Sequence, residues 1–290
     1  MYLAYLFAWR VVGLLPQKFA YYLARKIADY FFKKNGKAVK RLRSNYKNVS
    51  PILNGKELDE LTKNGMRSYL RYWFDTFRLN KWSTDQIIKT VTVQNEHLLR
   101  DPIASKQGCL VVLPHAGNWD HAAAYFCSTG INLTTVAEKL KPEAIFLKFL
   151  AYRESIGIEV LHTEQKVIPI LLDRLNSGKL VALVADRDLS KSGIEVNFFD
   201  GVAKMPSGPA RLILNSKAAF ISAYITYTES GINILFQEIG PVPSIDNLNM
   251  DEEKAVIELT QSMANNFAAG IKSAPVDWHM LQRIWVDEKN

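Results

Sequence analysis

The sequence predicts an α/β fold: a mainly parallel central sheet flanked by helices, preceded by a basic amphipathic helical segment. Two observations carry the sheet. Apolar runs rich in β-branched residues, Cys109 to Leu113 and Lys179 to Ala185, read as strands buried on both faces. They alternate with stretches of helical periodicity, the order expected of strands joined by crossover helices. A third observation carries the N-terminal segment, where Gln17 to about Lys47 repeats apolar residues at helical spacing over a strongly basic face. The 290 residues show no repeat, low-complexity tract or linker. One principal α/β domain over 51–290 is therefore expected, with residues 1–50 as an accessory helical piece.

In chain order, Met1 to Leu15 is apolar but interrupted by Arg10 and closed by Pro16. It is too short for the roughly 20 apolar residues of a spanning helix. Without a basic start or a small-residue cleavage site it does not read as a signal peptide. The next helix has Phe19, Leu23, Ile27, Tyr30 and Phe31 as its apolar positions. Arg25, Lys26, Lys33, Lys34, Lys37, Lys40, Arg41, Arg43 and Lys47 are opposed there only by Asp29. Aromatics beside such a basic face suit a helix lying on anionic lipid, with Arg25, Lys26, Lys33 and Lys34 as membrane-binding residues; a solvated surface helix, or one whose apolar face packs on the core, is the competing reading.

Asn54-Gly55 breaks the pattern, and Glu57 to Leu79 resumes it with Met66, Leu70, Trp73 and Phe77 among its core positions. Short strands are expected at Val91–Val93, Ile131–Val136 and Ile158–Leu161, with a helix from Pro142 to Ile156 between the last two. A helix over Val167–Asn176 leads into the strand at 179–185. Gly193 to Phe199 alternates as a strand, Met205-Pro206 leads into a helix from Ala210, and Ala219–Thr228 with Ile232–Ile239 reads as a hairpin. Asp251-Glu-Glu opens a long final helix with acidic residues suited to its dipole. Asp277, Trp278 and Trp285 read as packing anchors; His121, His162 and His279 read as structural.

The chemistry concentrates at Pro114-His115-Ala-Gly-Asn118-Trp119-Asp120, where a strand ends and a helix capped by Asn118 begins. Ligands of open α/β sheets bind at that edge. A histidine at the strand end and a carboxylate in the next first turn can meet, leaving the other ring nitrogen free as a base. The alternative is a histidine that merely packs. No Ser or Cys stands beside His115 and no Gly-x-Ser-x-Gly occurs, so the nucleophile is expected to come from the substrate.

His115 and Asp120 match the His-x4-Asp motif of the glycerolipid and lysophospholipid acyltransferases, and the wording around them resembles the branch of lipid A and phosphatidylinositol mannoside acyltransferases. Further stretches resemble that branch in order and spacing: Tyr152-Arg153, Ala185-Asp186-Arg187-Asp188-Leu189, Gly193-Ile-Glu195-Val-Asn-Phe-Phe199, Met205-Pro206-Ser-Gly208-Pro-Ala, and Pro275-Val-Asp277-Trp278 through Trp285. Coverage runs from about residue 70 to the end. The wording tilts towards the mannoside enzymes.

This resemblance implies transfer of a fatty acyl chain from acyl-CoA to a mannose hydroxyl of phosphatidylinositol mannoside. His115 would be the base, Asp120 its orienter, and Glu195 a second acidic group, unless Glu195 is simply an exposed strand position. Arg153, Asn118, Trp119, Asp186, Arg187 and Asp188 would contact substrate. Read alone, Arg153 could equally complement a helix dipole. The Asp186-Arg187-Asp188 run could hold metal, a sugar hydroxyl or its own ion pairs, and metal is disfavoured because no second ligand cluster accompanies it. No bound cofactor is expected, with acyl-CoA as co-substrate. The implied partners are a lipid acceptor and an anionic membrane surface, with the protein peripheral on the cytoplasmic face of a bacterial plasma membrane. A lipid A precursor or lysophospholipid is the alternative acceptor.

A net charge of +7 favours an anionic partner of some kind, nucleic acid included. A peripheral membrane or nucleic-acid binder without catalysis is therefore the rival class. In it His115 and Asp120 would be structural; the family resemblance argues against it and against nucleic acid. Cys109 and Cys127 have no metal spacing and read as buried thiols of a reducing compartment.

Overall fold

The computed structural model describes residues 10–137, 143–162, 166–188, 192–242 and 251–286. The expected interfacial run at 1–9, Pro142 and Leu189 lie outside them. The described strands are β1 (Val91–Gln94), β2 (Cys109–Leu113), β3 (Leu133–Ala137), β4 (Ile158–His162), β5 (Leu180–Val184), β6 (Ile194–Phe198), β7 (Gly201–Met205), β8 (Ala219–Tyr227) and β9 (Ile232–Glu238). The helices are α1 (Gln17–Lys34), α2 (Lys37–Val49), α3 (Gly55–Arg78), α4 (Thr84–Lys89), α5 (His97–Ala104), α6 (Trp119–Ser128), α7 (Glu143–Ser155), α8 (Val167–Asn176), α9 (Gly208–Leu214) and α10 (Glu252–Ser273).

Seven strands form one sheet in the order β1-β9-β8-β2-β5-β3-β4. Every pairing in it is parallel except the β8–β9 hairpin. The α/β expectation with a mainly parallel sheet and an N-terminal helical segment is met. Strand β2 lies near the centre and all five of its residues are buried, which its unbroken apolar run requires. Alternate side chains divide between two cores. Leu110 and Val112 face α8, α9 and α10, while Cys109, Val111 and Leu113 face α5 and α6.

Three local differences from the sequence reading have physical causes. The basic stretch is two helices, broken at Asn35, whose φ of 45° is left-handed, and at Gly36. In α1 the residues buried on the body are Ala20, Ala24 and Ala28, with Leu23 and Ile27 half-buried beside Phe74 and Phe77 of α3. Small side chains let the helices approach closely, and Phe19, Tyr22, Tyr30 and Phe31 are left exposed. The third difference is β7, which pairs with β6 as a separate two-stranded sheet; its residues, Gly-Val-Ala-Lys-Met, lack the density of β-branched residues that marks the central strands.

The C-terminal segment is tied across the N-terminal helices. Asn45 of α2, 1% exposed, donates from Nδ2 to the carbonyls of Met280 (2.7 Å) and Gln282 (2.9 Å) and accepts from the Trp285 indole at 2.8 Å. The Tyr46 hydroxyl reaches the carbonyls of Val276 and Trp278 at 3.2 and 3.0 Å. Gly65 of α3 makes room for that ring: a Cβ there would stand 2.3 Å from the Tyr46 oxygen. Among the described residues no helix is long and apolar enough to cross a membrane.

Candidate active site

Parallel pairing of β2 with β5 sets Leu113 beside Val184, and the Ala185 N–H continues the ladder to the Leu113 carbonyl at 2.9 Å. His115 and Asp186 each lie two residues past that pair, at the same carboxyl edge. Asp186 is 0% exposed. Its Oδ1 is 2.5 Å from His115 Nδ1. Its Oδ2 accepts the His115 backbone N–H at 3.0 Å and the Trp278 indole N–H at 2.9 Å. Burial by itself would raise this carboxyl's pKa, but the charge and hydrogen bonds of His115 and the Trp278 indole outweigh it and hold the group below its usual value. An ionised carboxylate only accepts, so Nδ1 carries a ring hydrogen, and in the neutral imidazole Nε2 presents its lone pair. Among the described residues no hydrogen bond engages Nε2.

The expected partner of His115 was Asp120, and here the structure differs. Asn118 caps α6 by accepting the His121 N–H at 2.9 Å, which points the first turn, and Asp120 with it, towards α3 and α7. Asp120 Oδ1 accepts from Arg153 Nε at 2.8 Å and Oδ2 from the Tyr72 hydroxyl at 3.1 Å. Asp120 is 2% exposed, so its charge is satisfied by a buried ion pair. Burial opposes the charge on Arg153, but Asp120 and Tyr72 more than offset it, and its pKa is raised. Asp120 thus positions Arg153, and the orienter of His115 is Asp186.

Below His115 a cavity of about 420 Å³ runs between the sheet and α6. Small residues open it: Ala122 and Ala123 on α6, Ala182 on β5 and Ala223 on β8. Leu99, Phe126, Leu133, Leu180 and Phe236 are among its apolar walls. His115, Trp119, Asp120, Arg153, Arg187 and His279 contribute its polar and aromatic parts. The Trp119 ring meets His115 edge-on at 5.7 Å and stacks on Tyr72 at 4.2 Å. Arg187 hydrogen-bonds Gln282 of the C-terminal segment. The turn beneath is tight: Gly117 has φ of 58° and a Cβ there would lie 2.5 Å from the Ile225 carbonyl oxygen.

Two predicted residues stand apart. Asp188 lines a second cavity of about 260 Å³ beside α8 and α9. Glu195 lies exposed on β6, 3.5 Å from Lys204 of β7, because the β6–β7 hairpin does not join the central sheet. It does not line the cavity that holds His115, and the carboxylate that meets the His115 ring is Asp186. Tyr72, Trp278 and His279 were not read as site residues. For Trp278 and His279 the signal was their place in the C-terminal motif; nothing in the sequence indicates that Tyr72 reaches Asp120.

Against this geometry the comparisons with known proteins can be set. The family described as bacterial lipid A biosynthesis acyltransferase matches residues 1–287. The chain belongs to that family. It is therefore an acyltransferase. It is 33% identical over 287 residues to a phosphatidylinositol mannoside acyltransferase of Mycolicibacterium smegmatis, covering 98% of this chain and 91% of the relative. Enzymes of the same name from two strains of Mycobacterium tuberculosis are 34% and 35% identical, each covering 98% of this chain and 88% of the relative. The match takes in both α1 and the sheet edge that carries His115.

Two histidines, His279 in the cavity wall and His121 on α6 against Thr90, are kept neutral by burial. The His121 pKa falls to about 4 and that of His279 to about 3. Below about pH 6.5 the unfolded chain protonates both while the folded protein does not. Their contribution to stability is thus whole above about pH 6.5 and is lost as pH falls towards 4. Asp75, buried and raised to about 6, works in the opposite sense between about pH 4 and 6 and offsets part of that loss there. Urea unfolding at pH 6.5 and 4.5 is expected to show lower stability at the acid end, and His121→Gln to flatten that loss by about 1 kcal/mol per pH unit; an unchanged slope would show that His121 does not titrate on unfolding.

Proposed function

We propose that this acyltransferase moves a fatty acyl chain from acyl-CoA to a mannose hydroxyl of phosphatidylinositol mannoside. The observation that carries the reading is an oriented histidine base with a free Nε2 at the polar mouth of a deep apolar cavity. The mycobacterial relatives, phosphatidylinositol mannoside acyltransferases by name, suggest the acceptor. The acyl chain fits the cavity between the sheet and α6, which offers apolar walls along its length.

In the reaction, the acceptor oxygen attacks the thioester carbonyl carbon as His115 Nε2 takes the hydroxyl proton. Asp186 holds the tautomer and supports the imidazolium that forms. The carbonyl π electrons move to oxygen, and the resulting oxyanion needs donors. The Ala116 and Gly117 N–H groups are already given to the Pro114 and Asp277 carbonyls, so the cations that line the cavity, Arg153, held by Asp120 through Nε, and Arg187, are the donors assigned to it. Collapse of the tetrahedral species breaks the C–S bond, and the leaving thiolate takes the proton back from His115. No acyl-enzyme is formed.

The acceptor and product are membrane lipids, and the outer face of α1 suits a membrane surface. Phe19, Tyr22, Tyr30 and Phe31 are exposed, with the ammonium groups of Lys26 over Tyr22 and Lys34 over Tyr30 at 5.4 and 5.5 Å. Aromatics ringed by cations match the boundary between acyl chains and anionic headgroups. The protein would then act as a peripheral enzyme on the cytoplasmic leaflet of a bacterial plasma membrane.

Purified protein given palmitoyl-CoA is expected to release CoA when phosphatidylinositol mannoside is present. Lipid A precursor or lysophospholipid should support less release, and His115→Ala should lower the rate by about 10²- to 10⁴-fold. Equal release by the mutant would remove His115 as the base, and a preference for either other acceptor would replace the mannoside. Binding to vesicles with anionic phospholipid is expected to weaken at least about tenfold when Arg25, Lys26, Lys33 and Lys34 are changed to Gln; undiminished sedimentation with vesicles would contradict membrane docking through α1.

A further inference from the structure

A buried polar cluster beside the cavity takes no part in the reaction above. It joins Ser68 of α3 to Asp277 and His279, and it sits against the cavity wall beside His115. The Ser68 hydroxyl donates to Asp277 Oδ1 at 2.6 Å, and its oxygen is 2.8 Å from His279 Nε2. A hydroxyl has one hydrogen. With that hydrogen committed to the carboxylate, Ser68 Oγ can only accept from His279, so Nε2 carries the imidazole hydrogen and Nδ1 is a bare lone pair.

Asp277 is itself fixed: its Oδ2 accepts the Tyr227 N–H at 2.9 Å and its carbonyl accepts the Gly117 N–H at 2.9 Å. The His279 backbone N–H donates to the His115 carbonyl at 2.7 Å, which makes the two histidines neighbours by main-chain bonding. The rings of Tyr69 and Tyr72 approach His279 at 5.7 and 6.1 Å and restrict its rotation. His279 is 6% exposed and lines the cavity. Its Nδ1 is buried, and among the described residues no hydrogen-bond donor meets it. Orphaned buried acceptors are uncommon in folded proteins, because the desolvated lone pair is costly unless something fills it.

We propose that His279 binds the acceptor: its Nδ1 accepts a hydrogen bond from a hydroxyl adjacent to the one that His115 deprotonates. This rests on the acyl-transfer reading and adds how the acceptor is held. The occupant must carry a polar hydrogen. The acyl chain and the thioester carbonyl and sulfur carry none, whereas a polyol with neighbouring hydroxyls offers one hydrogen to His115 and another to His279. Burial keeps this imidazole neutral across physiological pH, so it accepts without adding charge beside the base. Ser68 and Asp277 act through it as positioning residues by fixing its tautomer.

The test is steady-state kinetics with palmitoyl-CoA and phosphatidylinositol mannoside, each varied in turn, on wild type, His279→Phe, His279→Asn and Ser68→Ala. His279→Phe is expected to raise the acceptor KM by roughly 10- to 100-fold, the loss of one buried hydrogen bond, while the palmitoyl-CoA KM moves less than about twofold. His279→Asn puts an amide oxygen at the Nδ1 position and is expected to recover most of that loss. Ser68→Ala keeps the ring but releases its tautomer and is expected to raise the acceptor KM severalfold. It also decides the matter with the Asn variant if the Phe variant fails to melt like wild type. An acceptor KM unchanged in all variants, a rise in the donor KM instead, or an Asn variant that melts normally yet is as impaired as Phe would each overturn the proposal. Wild type that transfers no acyl group to any acceptor would remove the acyl-transfer reading and this inference together.

Discussion

The site depends on one hydrogen bond, His115 Nδ1 to Asp186 Oδ1, and that bond depends on strand register. The two residues come from different strands 71 positions apart in the chain and meet because β2 and β5 are adjacent and parallel with Leu113 beside Val184. A slip of one residue would turn Asp186 to the opposite face of the sheet. The register is held by the apolar alternation that sends Leu110 and Val112 to one core and Val111 and Leu113 to the other. Packing in the centre of the sheet therefore sets the geometry of the His115–Asp186 hydrogen bond at its edge.

The second constraint is the C-terminal segment, which closes over that edge. Trp278 donates to the same Asp186 oxygen that the His115 backbone uses, and Asn45 and Tyr46 of α2 hold the segment by its carbonyls. The N-terminal helices thus serve two ends: inward, they fix the segment that carries Trp278 and His279; outward, α1 presents exposed aromatics and cations. A change in how α2 seats would be felt at His115 through Trp278, which links the N-terminal helices to the candidate site by direct contacts.

Much of the sheet was legible because periodicity is a local property. The unbroken apolar runs of β2 and β5, the Asn118 cap and the β8–β9 hairpin all follow from neighbouring residues. What sequence could not supply was long-range pairing. Asp120 is five residues from His115 and was the natural partner on spacing, yet the cap at Asn118 aims it at Arg153 and Tyr72. Asp186 was expected at the same edge, but its bond to His115 follows from which strand neighbours β2. Glu195 alternated correctly for a strand and still fell away from the site, because β6 pairs with β7 alone. The aromatic residues of α1 read as the edge of a lipid-facing stripe and stand exposed, while the three alanines that pack on the body were silent in a hydrophobicity pattern. His279 drew no attention because its meaning lies in a bond to Ser68, 211 residues away.

The central claim is that Asp186, not Asp120, orients the histidine base. The most direct measurement is the proton spectrum of the His115 ring at low temperature, in protein labelled with ¹⁵N-histidine. The account predicts a far-downfield Nδ1–H resonance of His115, as a 2.5 Å bond to a buried carboxylate requires, that is lost in Asp186→Asn and kept in Asp120→Asn. A resonance that survives Asp186→Asn and vanishes in Asp120→Asn would contradict it.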